Sequence, residues 1–455
     1  MANQWGIILD ICILSILLGA ATYLKNTFKI FQKFLIPNSI IAGFLGLILG
    51  PEVLKLLPLN LNTLGTLVYH LMAIGFISLS LKERKRDKSK GVINTGFIIV
   101  STYVIQGILG LGLSLLLFYT FFPDLFPPMG LLLPLGYGQG PGQAYSIGHQ
   151  WELSGFKNGG NVGLTIAALG FMWACLGGVP LMNYLIKNKK IKCSYKTPNH
   201  SAGTIEEVDS AGDIPLSESI DRISVQMFLI GIVYYVTYLF TKGVGSLLVN
   251  FGSFGLTLSN LLWGFNFITG SLFAVGLRII FDKLKERKVM VRNYPNDFLL
   301  SRISGGCFDF MITASIAGIS ISLLKDYWIP IVIISSLGGI LSVYYCVIIN
   351  KMCFKTDVLE NTVASYGMLT GTLSTGLALL REVDPNFEST ASKNQVLGSG
   401  VAAGVGFPMM IILNLPLVGY ITHRESYYFY TLGALVIYEV FLWGYLYMYN
   451  RKEKA

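Results

Sequence analysis

The chain has 455 residues, 53% hydrophobic and only 13% charged, with a mean hydropathy of +0.59. Soluble domains carry about 25% charged residues, so a soluble multidomain enzyme is excluded, as is a disordered or fibrous chain. The net charge of +9 does not point to nucleic acid, because the basic residues sit between apolar blocks, where they set membrane orientation.

In chain order, the apolar blocks predict helices near 6–24, 35–57, 62–81 and 92–122. A shorter Gly/Pro-rich stretch follows at 128–150, then a helix near 160–186. The segment 187–221 is polar, mixed in charge and punctuated by Pro198, Gly203, Gly212 and Pro215, which reads as an exposed linker. The second half predicts helices near 224–241, 256–281, 298–323 and 327–350. A Gly/Thr-rich stretch lies at 360–380, followed by helices near 395–419 and 427–449. The first block lacks a basic leader and runs straight into Lys25, so it does not read as a cleaved signal peptide.

Lys and Arg alternate between connections. With the N-terminus outside, 25 fall in inside segments and five (Lys55, Lys157, Lys242, Lys325, Arg424) in outside loops. This predicts an N-out, C-in chain of eleven spanning helices and two short elements that do not cross. The fold class expected is an all-α polytopic membrane protein built as an inverted repeat of two five-helix units. Each unit contains a re-entrant loop, and one extra C-terminal helix follows. The units are 1–187 (loop near 128–150) and 222–420 (loop near 360–380), with a cytoplasmic linker at 188–221 and the extra helix and basic tail at 421–455. Tyr137-Gly138 with Gly142 is echoed by Tyr366-Gly367 with Gly371. Paired broken elements in an inverted repeat are the signature of a secondary transporter whose site lies at the bilayer midplane.

Six cysteines are scattered without paired spacing and four histidines lie far apart, so neither a disulfide framework nor a metal centre is expected. No phosphate loop, nucleotide-binding fingerprint or nucleophile–base pair is visible, so the chain is expected not to be an enzyme. Five glycines and two prolines in PLGYGQGPGQAYSIG (134–148) cannot make a stable lipid-facing helix; such backbone survives at depth only when buried or lining a wet cavity. The alternative is an ordinary extracellular loop. In 360–380, Thr362, Ser365, Thr370, Thr372, Ser374 and Thr375 supply hard oxygen donors suited to sodium, or else small-residue helix packing. Asp309, close to Gly305 and Gly306, is a lone acid deep in an apolar block. It reads as a coupling-ion ligand helped by Thr313, or as an acid paired with Arg302. Arg381 is either a carboxylate clamp or part of an ion-paired cap with Glu382 and Asp384. Asp10 and Glu439 read as interfacial or packing acids.

IPNSIIAGFLGLILG (36–50), GYGQGPGQA (136–144), GFKNGGNVGLTIAALGF (155–171), GGVPLMNYLIK (177–187) and YGMLTGTLSTGLALL (366–380) together resemble the bacterial sodium/glutamate symporters. The resemblance covers nearly the whole chain apart from the linker and the last helix. It implies two re-entrant loops meeting near the midplane, a homodimer, an elevator-type transport motion and a bacterial inner membrane. It implies a sodium-coupled import of glutamate or a related carboxylate, with sodium as coupling ion and no cofactor. Taking the residues and the resemblance together, the substrate site expected comprises Gly138, Gln139, Gly140, Gly142, Gln143, Asn161, Gly371, Thr372 and Arg381, and the sodium site, read from the residues themselves, Asp309, Thr313, Thr370, Ser374 and Thr375. The first loop departs from the family's common Gly-His-Gly-Thr-Gly, reading Gly136-Tyr137-Gly138-Gln139-Gly140. Asp309 stands where better-known members have a hydroxyl-rich apolar stretch. An ion channel and a carrier of another organic anion are the alternatives.

Overall fold

A computed structural model describes residues 5–28, 31, 36–82, 89–187, 222–250, 252–289, 294–384 and 388–451. The linker 188–221 and the extreme tail 452–455 lie outside these. The described residues form helices and no strand: α1 (Gly6–Thr27), α2 (Asn38–Leu49), α3 (Leu61–Ser80), α4 (Lys90–Thr120), α5 (Pro141–Glu152), α6 (Gly159–Lys187), α7 (Arg222–Val249), α8 (Gly252–Gly264) and α9 (Asn266–Glu286). They continue as α10 (Asp297–Ala317), α11 (Trp328–Cys353), α12 (Val358–Thr370), α13 (Leu373–Val383), α14 (Ala391–Val405), α15 (Phe407–Ile412), α16 (Leu415–Ile421) and α17 (Ser426–Arg451).

Seven of these helices are long and apolar enough to cross a membrane, and two bent pairs raise the number to nine among the described residues. Each of the eleven expected spans coincides with a described helical segment, though not all as one long apolar helix. The expected 35–57 helix is only the 12-residue α2, about 18 Å at 1.5 Å per residue, because Gly50-Pro51 ends it. The expected 298–323 helix carries Asp297, Arg302 and Asp309 in α10 and is not among the apolar spans. The expected 395–419 helix bends by 51° between α14 and α15. Pro408 sits in the first turn of α15 and cannot donate to the preceding turn.

The chain divides into two compact units. One comprises 73–84 and 195–308, the other the remainder. In the smaller unit, Leu229, Ile230 and Val233 of α7 pack with Ile77, Leu81, Ala274 and Leu300. Its buried cation, Arg278, donates to Asp282 Oδ1 at 2.9 Å and to the Leu81 carbonyl at 3.3 Å. Gln226 ties α7 to the start of α10, donating to Tyr294 O (2.8 Å) and accepting from Asn296 N (3.1 Å).

In the larger unit, the 31-residue α4 is apolar on nearly every face and largely buried, as expected for a central helix. It packs against α11 and α17 through Ile98, Tyr345, Ile349, Cys353 and Leu446. Asp10 of α1 accepts from Asn60 N at 3.3 Å, next to the start of α3, where a carboxylate is favoured by the helix dipole.

Candidate functional site

Two helices in the larger unit are interrupted, at the two stretches picked out in the sequence. The first stretch winds through irregular turns, Pro127–Leu131 and Leu135–Gln139, before α5 begins. Between them and α5, Gly140 adopts φ +96° and ψ 174°, a left-handed region that a side chain disfavours. Pro141 opens α5, where its missing N–H costs nothing. The second interruption separates α12 from α13 at Gly371 and Thr372. Thr372 caps α13, its hydroxyl accepting from Thr375 N at 3.4 Å. Gly367 and Gly376 let α13 fold back on α12, since a Cβ on Gly367 would stand 2.8 Å from the Gly376 Cα.

The two interruptions meet. A Cβ on Gly140 would have the Thr372 methyl as its neighbour at 3.9 Å. Both rest on α6 at Gly170, where a Cβ would come within 2.7 Å of the Thr370 carbonyl and 2.8 Å of the Tyr137 ring. The starts of α5 and α13, with their uncommitted N–H groups, therefore converge on one place. The chain segments that end there present carbonyls, and α4 holds two of them. Tyr103 of α4 donates to Gly138 O at 2.8 Å, and Gln106 of α4 donates to Leu369 O at 2.9 Å and to Ser342 Oγ at 2.8 Å. Buried tyrosines brace each stretch against another helix: Tyr137 to Ser335 O of α11 and Tyr366 to Trp173 O of α6, both at 2.6 Å.

Three amide oxygens here, those of Gln106, Gln139 and Gln143, are buried without a hydrogen-bond donor among the described residues. Such groups cost about 1–3 kcal/mol each when left unmade. They suit a ligand that brings donors, or a cation that wants oxygens. The arrangement can accept an anionic group at the helix starts and a positive one at the amide oxygens and carbonyls.

Of the expected substrate residues, Gly138, Gln139, Gly140, Gly142, Gln143, Gly371 and Thr372 belong to the two interruptions. Gly142 is in the first turn of α5, packed against the sulfurs of Met72 and Met311. Asn161 lies nine residues before Gly170 on α6, about 13 Å along the axis, and accepts from Ser320 N at 2.9 Å. Beside it Glu52 accepts from Ser320 Oγ (2.8 Å) and Ser322 N (3.0 Å). Burial works to raise the Glu52 carboxyl, but these donors outweigh it and hold it below its ordinary value. Arg381 is exposed on α13, nine residues beyond the Thr372 cap.

Of the expected sodium residues, Thr370, Ser374 and Thr375 surround the second interruption. Thr370 Oγ1 donates to Tyr366 O at 2.7 Å, and Thr375 Oγ1 lies 3.1 Å from Thr372 Oγ1. Asp309 and Thr313 occupy α10. The Thr313 hydroxyl bonds the carbonyls of Asp309 (2.9 Å) and Ser39 (3.2 Å), and Asp309 is exposed on that helix. Arg302 stacks over Phe298 at 5.1 Å. Tyr103, Gln106, Ser342 and Gly170 were not picked out in the sequence.

Long apolar helices surrounding two buried helix interruptions define a multi-pass membrane protein. The chain belongs to the sodium/glutamate symporter family, whose family model matches residues 4–376. Its transport, symport and membrane character follow from that membership, and the family is generally non-enzymatic. No match was found among curated proteins or among solved structures.

Proposed function

We propose that this protein is a sodium-coupled symporter that imports glutamate or a related carboxylate by alternating access, moving its site by an elevator-type motion. The carrying observation is the approach of Gly140 to Thr372, which brings two helix starts together beside unpartnered amide oxygens. Helix starts favour a carboxylate, and freed carbonyls and hydroxyls favour sodium. In this reading Gly138, Gln139, Gly140, Gly142, Gln143, Gly371 and Thr372 contact substrate. Asn161 and Arg381 act at either end of its path, and Thr370, Ser374 and Thr375, with Asp309 and Thr313, serve sodium. The two stretches are re-entrant loops of an inverted repeat with its N-terminus outside and C-terminus inside. The working unit is a homodimer in a bacterial inner membrane.

Uptake by proteoliposomes tests the reading. Labelled glutamate should accumulate under an inward sodium gradient, exchange with unlabelled substrate, and fail to accumulate when potassium replaces sodium. Saturable exchange separates a carrier from a channel. Equal uptake with either cation overturns sodium coupling, and exchange of another carboxylate but not glutamate reassigns the substrate.

A further inference from the structure

The helix pairs at the two interruptions are held in different ways. In the first pair, α5 and α6 touch backbone to backbone. A Cβ on Gly148 would come within 2.2 Å of the Gly159 carbonyl, and one on Gly163 within 2.3 Å of the Ala144 carbonyl. Glu152 Oε1, at the end of α5, accepts from Gly160 N of α6 at 2.9 Å. Aromatic rings seal the turn between them, with Trp151 and Phe156 wholly buried. Phe126 stacks on Phe156 at 4.4 Å, Tyr327 meets Phe156 edge-on at 5.8 Å, and Tyr420 meets Phe126 edge-on at 4.8 Å. Parting this pair would strand backbone groups and bare large rings.

In the second pair, α12 is buried from Leu359 to Thr370, but α13 is buried on one face only. Ser374 and Arg381 are exposed and Ala378 is half-buried. Their i, i+4, i+7 spacing makes one wet stripe about 10 Å long. It runs from the end of α13 to within two residues of Thr372, where the interruptions meet. The opposite face inserts Leu379 as a knob between two glycines. A Cβ on Gly178 of α6 would stand 2.7 Å from the Leu379 side chain, and one on Gly367 of α12 would stand 2.8 Å from it. Apolar contact of this kind is non-directional. A helix with one face in water and the other on such contacts belongs to the low-stability end from which lids are drawn.

We propose that α13 is the gate of the site: it lifts off α6 to pass substrate and sodium along its wet stripe, while the α5–α6 pair stays closed. This rests on the transport reading above, in which the second stretch enters from inside, so the gate opens to the cytoplasm.

Gly178→Cys paired with Leu379→Cys tests the gate in the full-length protein. A Cβ on Gly178 would stand 3.5 Å from Leu379 Cγ, the place a cysteine sulfur takes, within reach of a disulfide after a small shift. Helices α6 and α13 travel together in an elevator motion, so the bond ties the gate and leaves that motion free. The reduced pair should exchange labelled glutamate in proteoliposomes containing sodium. Oxidation should lower exchange at least about tenfold, and dithiothreitol should restore it. Undiminished exchange with the disulfide formed overturns the gate and leaves the transport reading standing. Wild-type protein that shows no sodium-dependent glutamate exchange overturns that reading, and the gate with it. If the pair fails to fold, single cysteines decide, because each replaces a larger buried side chain. Leu379→Cys should react with a water-soluble maleimide in sodium-free buffer and be protected at least about tenfold by sodium with glutamate. Ile147→Cys, on α5, should stay unreactive in both. Ile147→Cys labelling as fast as Leu379→Cys, or Leu379→Cys unreactive throughout, overturns the proposal.

Discussion

At the first interruption the backbone itself forbids a helix, while at the second the side chains arrange one to stop. Gly140 has φ +96°, and the proline after it biases its backbone away from the helical region. Gly371 has φ −146° and ψ −104°, and the halt there goes with the Thr372 cap and with tight surroundings. Its Cβ would stand 3.1 Å from the Gly367 carbonyl, the Phe171 ring and the Thr375 hydroxyl. Two routes thus bring helix starts to one point. One is fixed by covalent geometry, the other by hydroxyl hydrogen bonds that a bound ion can rearrange.

Alanine at the two glycines tests that difference most severely. Gly140→Ala places a side chain in the left-handed region, at about 1–2 kcal/mol, and should abolish sodium-driven uptake with the protein still inserted. Gly371→Ala asks its neighbours to yield by a few tenths of an ångström and should keep a measurable fraction of uptake. Valine should abolish uptake at both positions. Equal residual transport by the two alanine variants would erase the contrast between backbone and side-chain control.

Gln106→Leu should have the next largest effect. It strands the Leu369 carbonyl and takes a donor from Ser342 Oγ, which keeps its own bond to Gly338 O, at about 1–3 kcal/mol. A thermal melt of the purified protein should fall, and the sodium activation curve should shift to higher concentration. An unchanged curve would confine Gln106 to packing.

Thr372→Ala removes the cap of α13 at about 1 kcal/mol. Thr372→Ser keeps the oxygen and should restore the wild-type sodium response, while Pro141→Ala, at a break that Gly140 already enforces, should change uptake less than twofold. If Pro141→Ala proves more damaging than Thr372→Ala, the first interruption rests on proline and not on glycine.

The smallest effect is expected away from both interruptions, at Glu52. Its folded pKa lies below the ordinary value, so its contribution is fully present above that value and is lost as pH falls through the folded pKa. Because this site is partly solvated, the contribution is about a few tenths of a kcal/mol. A melting curve from pH 7 to pH 4 should dip slightly more for wild type than for Glu52→Gln.

Much of this was legible in the sequence, because glycine and proline act through local backbone rules. The stretches 134–148 and 360–380 could be located without knowing what surrounds them, and long apolar runs marked the spans. The register between the stretches was not legible. The matched tyrosine–glycine spacing pairs Gly142 with Gly371, yet Gly371 lies at an interruption and Gly142 lies within α5. Alignment of tyrosines reports how Tyr137 and Tyr366 anchor, not where the helix stops. The helpers on α4 were invisible for another reason. Tyr103 and Gln106 matter because α4 runs beside both stretches, and that adjacency is tertiary. The 12-residue α2 was overread because apolar residues continue past the Gly50-Pro51 that ends the helix.

Gly170 has a thermodynamic consequence. The Thr370 carbonyl and the Tyr137 ring both bear on its bare α-carbon, so neither stretch can shift there without displacing the support of the other. If the carboxylate lies between both stretches and sodium is held by hydroxyls of the second, as proposed, the two ligands are linked through one shared contact. Linkage is reciprocal: whatever factor sodium adds to substrate affinity, substrate must add to sodium affinity. Gly170→Ala, by wedging the two apart, should lower both affinities and shrink the factor by which each raises the other.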